Sequence, residues 1–416
     1  MVNKDLVVIG GGAAGLSAAV EAKKQGIEDI LVIERSDWLG GILRQCIHNG
    51  FGVHKYKEDL TGVEFASRIA KEAEEAGIEC MLHTFAVDIS KDKVITAVSP
   101  KEGLFEVKAK AIILAMGCRE RSRGALMIPG KRIAGVITAG TAQHYLNLDG
   151  YLPGKKIVIL GSGDIGLIMA RQFVVEGASV ERVVEIMPYS SGLARNISQC
   201  IEDFDIPISY NSTVIDIQGK GRVEQVTVAK VDENRRSVPG TEEVIPCDTL
   251  LISAGLIPEN ELTKAAGITL SPVTKGAVVD DELMTSLDGV FSCGNVLHVH
   301  DLVDFVSIEG TRAGENAARY LKGQKETGKY IEVKDGFGVN GAVPQKVRRD
   351  GDKYVEIMFR PRNKYTNCCI CVDAGETCVK RMKKMVVTPG EMCSFQIERE
   401  LLAQAEGEVT IRLEVS

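Results

Sequence analysis

The sequence lacks both a long apolar run and an excess of positive charge. None of its segments reaches the roughly 18 consecutive apolar residues of a membrane span, so we expect no integral membrane segment. The formal net charge of −7 and the isoelectric point near 5.6 argue against a nucleic-acid-binding surface. An apolar strand pattern begins at residue 6, which leaves no room for a signal peptide. We therefore expect a cytoplasmic protein with no nucleic-acid partner.

The eleven cysteines also lack the two paired spacings that a metal or cluster site shows. Without an export signal, most of them are expected to be reduced thiols. Cys368 and Cys371 form a C-x-x-C, but 367–372 has the pattern of a strand, on which residues three apart face opposite sides. Zinc and iron–sulfur sites show a second pair, which is missing. We favour core cysteines of a β domain over a metal site, and we predict no metal.

What the sequence does contain is one glycine motif in two copies. Gly10 to Gly15 follows the apolar run 6–9, and Gly161 to Gly166 follows the run 157–160. Both are G-x-G-x-x-G, and both open a helix-like segment. Each is followed at the same offset by an acidic residue at the end of an apolar run. These residues are Glu34 and Glu185.

Each part of this motif has a physical purpose. The first glycine allows a tight turn, the second lets the backbone approach a pyrophosphate, and the third lets the helix pack on the sheet. The helix N-terminus then offers free N–H groups to the phosphates, and the acid accepts hydrogen bonds from ribose hydroxyls. Two complete copies predict two dinucleotide sites whose cofactors exchange electrons. The alternative is a pair of glycine turns that only pack a sheet.

The second acid also bears on the choice of cofactor. The carboxylate of Glu185 would repel the 2′-phosphate of NADPH, and residues 186–189 offer no arginine to receive that phosphate. We therefore favour NAD(H) over NADP(H). Arg182 lies nearby in the sequence and weakens this preference.

The order of these motifs resembles the two-dinucleotide-binding flavoprotein superfamily, the pyridine nucleotide-disulfide oxidoreductase-like proteins, which includes glutathione and thioredoxin reductases. The resemblance covers roughly residues 5–325 and includes 115–117, 254–258 and 285–295 besides the two glycine motifs. Within the superfamily, 161–170 and 294–304 are most similar to the FAD/NAD(P)-binding subunits that accompany glycerol-3-phosphate dehydrogenase, hydrogen cyanide synthase and opine oxidase type enzymes.

The resemblance implies an α/β fold. Two Rossmann-like three-layer (ββα) dinucleotide-binding domains are expected, the second inserted in the first, followed by a small C-terminal antiparallel β domain. The expected boundaries are 1–154 with 257–328 for FAD, 155–256 for NAD(P)H, and 329–416 for the β domain. A helix is predicted from Thr311 to Leu321.

The resemblance also implies which residues hold the cofactors. For FAD they are Gly10, Gly12, Ala13, Ala14, Gly15, Glu34, Arg35, Gly41, Ala115, Gly117, Gly294 and Asn295. For NAD(H) they are Gly161, Gly163, Asp164, Ile165, Gly166, Glu185 and Gly255. The family has an aspartate where this chain has Asn295, so an amide replaces a charge there.

Disulfide reductases of this superfamily need a cysteine pair near the flavin. Only Cys46 follows Gly41 here, and the second domain has only Cys200 and Cys247, far apart in sequence. A dithiol mechanism therefore lacks its parts. Cys46 could act alone through a mixed disulfide or sulfenic acid, or it could be a small buried apolar residue.

The resemblance implies that two segments lie close to the flavin, and both contain histidines. His48 and His54 lie in the first, and His298 and His300 lie in the second. We take Cys46, His48, His298 and His300 as candidate catalytic residues, the imidazoles as acid–base groups. The alternative is that the histidines are ordinary polar residues of a crevice. The spacing of His298 and His300 fits no compact metal site well.

Three functions remain open. The leading hypothesis is an FAD- and NAD(H)-dependent oxidoreductase that exchanges electrons with a partner subunit or acceptor, possibly in a complex like that of glycerol-3-phosphate dehydrogenase. The second is a Cys46-dependent NADH reductase of a small disulfide or peroxide. The third is a non-catalytic subunit that only holds the cofactors. Oligomerisation is possible in each.

Overall fold

The structure is a computed structural model that describes residues 2–324 and 328–415. The chain forms two compact units, Met1–Cys118 with Pro258–Ser416, and Arg119–Ile257. The second unit is therefore inserted into the first. Short strands at Cys118–Glu120 and Leu256–Pro258 lie where the chain passes from one unit to the other. The predicted α/β class is confirmed, whereas the domain boundaries stay a prediction.

A seven-stranded sheet forms the base of the first unit. Five of its strands run parallel to one another, and the apolar ends of the four inner ones are buried, as continuous apolar strands should be. Two further strands extend it as an antiparallel meander. In spatial order the strands are Glu79–Met81, Ile30–Ile33, Val2–Ile9, Gly103–Leu114, Val94–Ser99 and Phe85–Ile89, with Val290–Ser292 also paired to Gly103–Leu114.

Two long helices of this unit pack face to face at unusually close range. They are Ala13–Lys24 and Val303–Leu321. A Cβ at Gly310 would overlap the carbonyl oxygen of Ala14, and one at Gly314 would overlap that of Ala18, so the backbones touch here. The other helical segments that precede the C-terminal part of this unit are Gly41–Gln45, Gly62–Glu75, Glu261–Ala265 and Gly294–Val296. The strands Asn49–Phe51 and Leu60–Thr61 form a small antiparallel pair.

The second unit repeats the strand–glycine–helix arrangement on a smaller scale. Its five-stranded parallel sheet has the order Val136–Thr138, Thr249–Ile252, Lys156–Leu160, Ser179–Val184 and Ile208–Ser209. A three-stranded antiparallel sheet consists of Ser212–Gln218, Gln225–Lys230 and Glu243–Pro246. The helices are Ala139–Asn147, Asp164–Val175, Ala194–Cys200 and Glu202–Phe204.

The C-terminal part of the first unit is built from two sheets around a core of its own. The five-stranded sheet has the order Lys346–Arg348, Tyr330–Asp335, Glu408–Val415, Tyr365–Ala374 and Thr377–Val387. The three-stranded sheet comprises Val339–Val343, Tyr354–Pro361 and Cys393–Glu398, followed by the helix Arg399–Leu402. Most pairs are antiparallel as expected, but Tyr330–Asp335 and Glu408–Val415 run parallel.

The strand prediction for the C-x-x-C segment is correct. Cys368 lies in the apolar core, and Cys371, on the other face of the sheet, is within 3.8 Å of a carboxylate oxygen of Glu414. All eleven cysteines are free thiols. Among the described residues, none of the helices combines the length and the apolar character that crossing a membrane requires.

Candidate functional site

The first glycine motif turns the chain from strand Val2–Ile9 into helix Ala13–Lys24. Gly10 has φ +109°, and a Cβ there would overlap the carbonyl oxygen of Ala115. A Cβ at Gly15 would overlap the carbonyl oxygen of Gly10. These two glycines are therefore required by the fold itself.

The second glycine of the motif meets open space. No atom lies within 4 Å of where a Cβ of Gly12 would be. Gly12 is the N-cap of the helix and offers no side-chain cap, so the first N–H groups of Ala13, Ala14 and Gly15 cannot be satisfied inside the helix. An uncapped helix N-terminus beside an open face is the cradle that a pyrophosphate needs.

Glu34 lies directly beside this cradle. Its carboxylate is almost fully buried and accepts hydrogen bonds from the N–H of Gly11 at 2.7 Å and of Ser36 at 2.8 Å. Each oxygen accepts one of these bonds and retains acceptor capacity for a ribose hydroxyl. The predicted acid is thus anchored at the motif by the backbone.

The inserted unit has the same arrangement. Glu185 accepts from the N–H of Ser162 at 2.9 Å and from its hydroxyl at 2.6 Å, and its other oxygen accepts from the N–H of Met187 at 2.9 Å. Gly161 has φ +103°, and a Cβ there would overlap the carbonyl oxygen of Ser253. A Cβ at Gly163 would meet nothing closer than 3.8 Å.

Some of the remaining predicted FAD residues border the cradle, and others lie elsewhere. Gly41 lies against Gly12, and Gly294 lies against Ala14, so both border the cradle. Ala115 lies at the end of the neighbouring strand, where its N–H donates to the carbonyl of Ile9. Gly117 faces open space, and Arg35 is exposed. The Oδ1 of Asn295 accepts from the N–H of His300 at 3.0 Å.

Among the predicted NAD(H) residues, Asp164 has a local structural partner. Its Oδ1 accepts from the N–H of Leu193 at 2.8 Å and from Nδ2 of Asn196 at 2.6 Å. Ile165 packs against the apolar core, and Gly166 allows the helix to approach Gly161. Gly255 has φ +97° and accepts from the N–H of Arg121 at 3.0 Å.

Cys46 and His48 lie in the segment after Gly41. The Cys46 thiol donates to the carbonyl of Ile42 at 3.5 Å, and a Cβ at Gly62 would lie 2.5 Å from that of Cys46. Burial raises the pKa of Cys46 to about 12, which keeps it a thiol at neutral pH. The His48 ring lies 5.1 Å from that of Phe51.

His298 and His300, by contrast, are brought together, with ring centroids 4.2 Å apart. Both Nε2 atoms face Oε1 of Glu309, at 2.8 Å from His298 and 3.6 Å from His300. The other oxygen of Glu309 accepts from the N–H of Gly294 at 2.6 Å. Burial lowers the pKa of His298, and the two imidazoles and the hydrogen bond hold the pKa of Glu309 well below its usual range despite burial.

Sequence reasoning missed Glu309 and a second buried acid, Asp304. The carboxylate of Asp304 accepts from the N–H groups of Gly52 at 3.0 Å, His54 at 2.9 Å and Lys55 at 2.8 Å, and so fixes that loop to helix Val303–Leu321. For Asp304 a signal was available, because its neighbours one turn later, Ser307 and Ile308, are small or apolar. Glu309 had no such signal, since Arg312 follows it by one turn.

These features together define a flavoprotein oxidoreductase with two dinucleotide-binding units. Residues 4–318 match the sequence profile of the family described as pyridine nucleotide-disulphide oxidoreductase, and the chain belongs to that family. The family binds FAD and NAD(P), and the predicted resemblance is confirmed.

Curated relatives are of several kinds. The glutamate synthase [NADPH] small chain of Halomonas elongata is 28% identical over 77% of this chain and 68% of its own length. The thioredoxin reductase of Listeria monocytogenes is 29% identical over 78% of this chain and 95% of its own. The hydrogen cyanide synthase subunit HcnB of Pseudomonas aeruginosa is 26% identical over 74% of this chain and 67% of its own.

Solved structures support the fold. The T. acidophilum thioredoxin reductase superposes with a TM-score of 0.63 at 24% identity, over 77% of this chain and 99% of that one. A NAD-dependent persulfide reductase from A. fulgidus has a TM-score of 0.59 at 17% identity, over 95% of this chain and 73% of that one. The open face at Gly12, the uncapped helix and the anchored Glu34 fit FAD in the first unit.

Proposed function

We propose that this oxidoreductase binds FAD at Gly10–Gly15 and NAD(H) at Gly161–Gly166, and exchanges electrons with a partner subunit or acceptor. The observation that carries the proposal is the matched pair of cradles, each with a buried acid bonded to the residue after the first glycine. When bound, the two cofactors supply hydride transfer between nicotinamide and flavin. The protein supplies binding and orientation.

The chain's own groups have defined tasks in this proposal. The N-terminal N–H groups of helices Ala13–Lys24 and Asp164–Val175 bind the two pyrophosphates. Glu34 and Glu185 orient the two adenosine riboses. Asp304 fixes the loop that carries His54, and Glu309 fixes Gly294.

We further propose a preference for NADH over NADPH. Glu185 places a negative charge where the 2′-phosphate of NADPH would lie. Arg182, which is close to Glu185 in the sequence and could receive that phosphate, already has other partners. Its guanidinium bonds both carboxylate oxygens of Glu243, at 3.0 and 3.2 Å, and the hydroxyl of Ser209 at 2.8 Å. Because Arg182 already has these partners, it is not free to bind a 2′-phosphate, which supports the preference for NADH.

A partner subunit is the proposed route by which electrons leave or enter. Two relatives support this proposal, because the glutamate synthase small chain and the HcnB subunit are, by their names, parts of larger enzymes. A complex like that of glycerol-3-phosphate dehydrogenase stays part of this proposal. The proposed location is the cytoplasm, which the eleven free thiols favour.

A Cys46-dependent disulfide or peroxide reductase is the weaker candidate. The attacking species in such chemistry is the thiolate, and burial raises the pKa of Cys46 to about 12. We expect Cys46→Ser to retain essentially all NADH-dependent activity with every acceptor tested. Loss of turnover with intact flavin reduction would instead establish the reductase.

Anaerobic titration of the FAD-loaded protein with NADH and, separately, NADPH tests the proposal. NADH should bleach the flavin absorbance stoichiometrically and at a lower concentration than NADPH. A protein that only holds its cofactors would keep its oxidised spectrum. Failure to bind FAD at all would overturn the proposal.

A matched pair of variants tests the cofactor preference. Glu185→Gln keeps an acceptor for Ser162 but removes the charge, so the ratio of kcat/KM for NADH over that for NADPH should fall roughly tenfold, the effect of losing about 1.4 kcal/mol of discrimination. Glu243→Gln, which weakens only the hold on Arg182, should lower the ratio less. An unchanged ratio in Glu185→Gln would contradict the assigned role.

A further inference from the structure

A buried cluster of two imidazoles and one carboxylate lies beside Gly294, and the proposed electron transfer makes no use of it. One ring nitrogen of His298, one of His300 and a carboxylate oxygen of Glu309 lie within 4.8 Å of one another. The three side chains are at most 5% exposed. The sequence alone predicted no metal, because it did not reveal Glu309 beside the two histidines. We propose that these side chains form a binding site for a divalent transition-metal ion of the Zn²⁺ or Fe²⁺ type.

The separations suit such an ion. Bonds of about 2.0–2.2 Å at tetrahedral angles place ligand atoms roughly 3.3 Å apart. The separations from Glu309 Oε1 are 2.8 Å to His298 Nε2 and 3.6 Å to His300 Nε2, which bracket that value. A small movement of one ring therefore makes room for an ion between the three atoms. Two histidines with one carboxylate and open positions form a recognised ligand set for such metals.

His300 provides a second, independent observation. Its Nε2 is buried and has no hydrogen-bond partner among the described residues, although it faces the carboxylate. Its Nδ1 lies 3.4 Å from Oδ1 of Asn295, so an Nδ1–H can point at that oxygen and leave the lone pair of Nε2 free for a metal. An unpartnered ring nitrogen is costly when it is buried, and a metal would satisfy it.

The surroundings hold the ligands as metal sites require. Oε2 of Glu309 accepts from the N–H of Gly294, so Oε1 is oriented toward the imidazoles. Backbone donors and side-chain amides of this kind fix ligand geometry in known sites. Asn295 therefore has a use here that an aspartate would change, since an aspartate would add a negative charge beside the ring of His300.

One cation, the guanidinium of Arg360, lies close to the cluster. The guanidinium of Arg360 donates to the carbonyls of Val299 at 2.9 Å and Pro389 at 3.0 Å and pairs with the carboxylate of Asp301. Asp301 balances the charge of Arg360. The cluster itself retains the charge of Glu309, which attracts a cation.

Metal analysis of the purified FAD-loaded protein tests the site. After exposure to Zn²⁺ and removal of free ion, wild type should retain about one equivalent, His300→Asn should bind about tenfold or more weakly, and the exposed-histidine control His144→Asn should match wild type. Retention equal to wild type in His300→Asn would overturn the proposal, as would no retention in wild type.

The absorption spectrum of the Co²⁺-loaded wild-type protein distinguishes this site from metal binding by cysteines. It also tests the proposal if a variant fails to fold. Co²⁺ bound by two imidazoles and a carboxylate should give visible d–d bands without a strong near-ultraviolet band. A strong near-ultraviolet thiolate-to-cobalt band would place the ion on cysteines and overturn the assignment. Neither readout depends on NADH oxidation, so the site can fail while the proposed function stands, and the reverse.

Discussion

Asp280 is a buried carboxyl group whose charge the fold disfavours. Burial, helped by the neighbouring charge of Asp281, raises its pKa from about 3.8 to about 6. It does so although Oδ1 accepts from the N–H groups of Glu282 at 2.9 Å and Met284 at 3.0 Å. The folded chain therefore holds a proton that the unfolded chain releases, and stability falls as pH rises from about 4 through about 6.

Asp280→Asn should remove this loss, because the amide keeps the acceptor for both N–H groups and carries no charge. Above pH 6 the variant should be more stable than wild type by at most about 3 kcal/mol, and near pH 4 the two should be alike. The thermal unfolding midpoint measured from pH 4 to 8 checks this. The exposed control Asp92→Asn should follow wild type. A constant difference between Asp280→Asn and wild type across that range would refute the role of the charge.

At the scale of elements, the glycines divide into those that the fold needs and those that the cofactor needs. Gly12→Val should leave the folded state nearly unchanged, because its Cβ enters open space. It should nevertheless weaken FAD binding, because the side chain would fill the cradle. Gly314→Ala should do the reverse, since its Cβ would force helix Val303–Leu321 away from helix Ala13–Lys24.

Two measurements on both variants separate these effects. Far-ultraviolet circular dichroism of the FAD-free proteins should show a clearly lower unfolding midpoint for Gly314→Ala, with a cost of roughly 1–3 kcal/mol for overpacking, and little change for Gly12→Val. Titration with FAD should show the larger affinity loss in Gly12→Val. Equal behaviour of the two variants would contradict the division.

The same distinction explains what the sequence could predict. Strand, turn, helix and acid leave signatures in residue type over a short stretch, so both strand–glycine–helix turns and the two anchored acids were predictable, while their cofactors stay a prediction. Glu309 was not predictable, because its partner Gly294 and the two histidines meet it only after helix Val303–Leu321 has packed. That helix was predicted to start at Thr311, whereas it starts at Val303. Gly310 lies inside it, where the lack of a side chain allows close contact with Ala14. The parallel pairing of Tyr330–Asp335 was likewise invisible, because alternation does not encode strand direction.

At the scale of the whole molecule, a buried ion-pair cluster joins the C-terminal part to the rest of the first unit. Asp281 accepts from Arg399 Nη2 at 2.8 Å and from the N–H and Nε of Arg348 at 2.9 and 3.3 Å. All three side chains are at most 8% exposed. Arg348 also pairs with Glu282 at 2.7 Å, whereas the carboxylate that Arg399 pairs with is that of Asp281. Removing Asp281 therefore leaves the buried charge of Arg399 uncompensated, which costs about 3–5 kcal/mol.

Asp281→Ala should therefore destabilise the first unit as a whole, because the contacts group residues 258–416 with residues 1–118. Calorimetry should show the transition of that unit shifted to lower temperature, with FAD lost at the same temperature. Asp352→Ala, which removes only an exposed pair with Arg319, should shift it little. If the C-terminal part instead unfolded at a lower temperature by itself and FAD stayed bound, the prediction would be wrong. The first unit would then not unfold cooperatively.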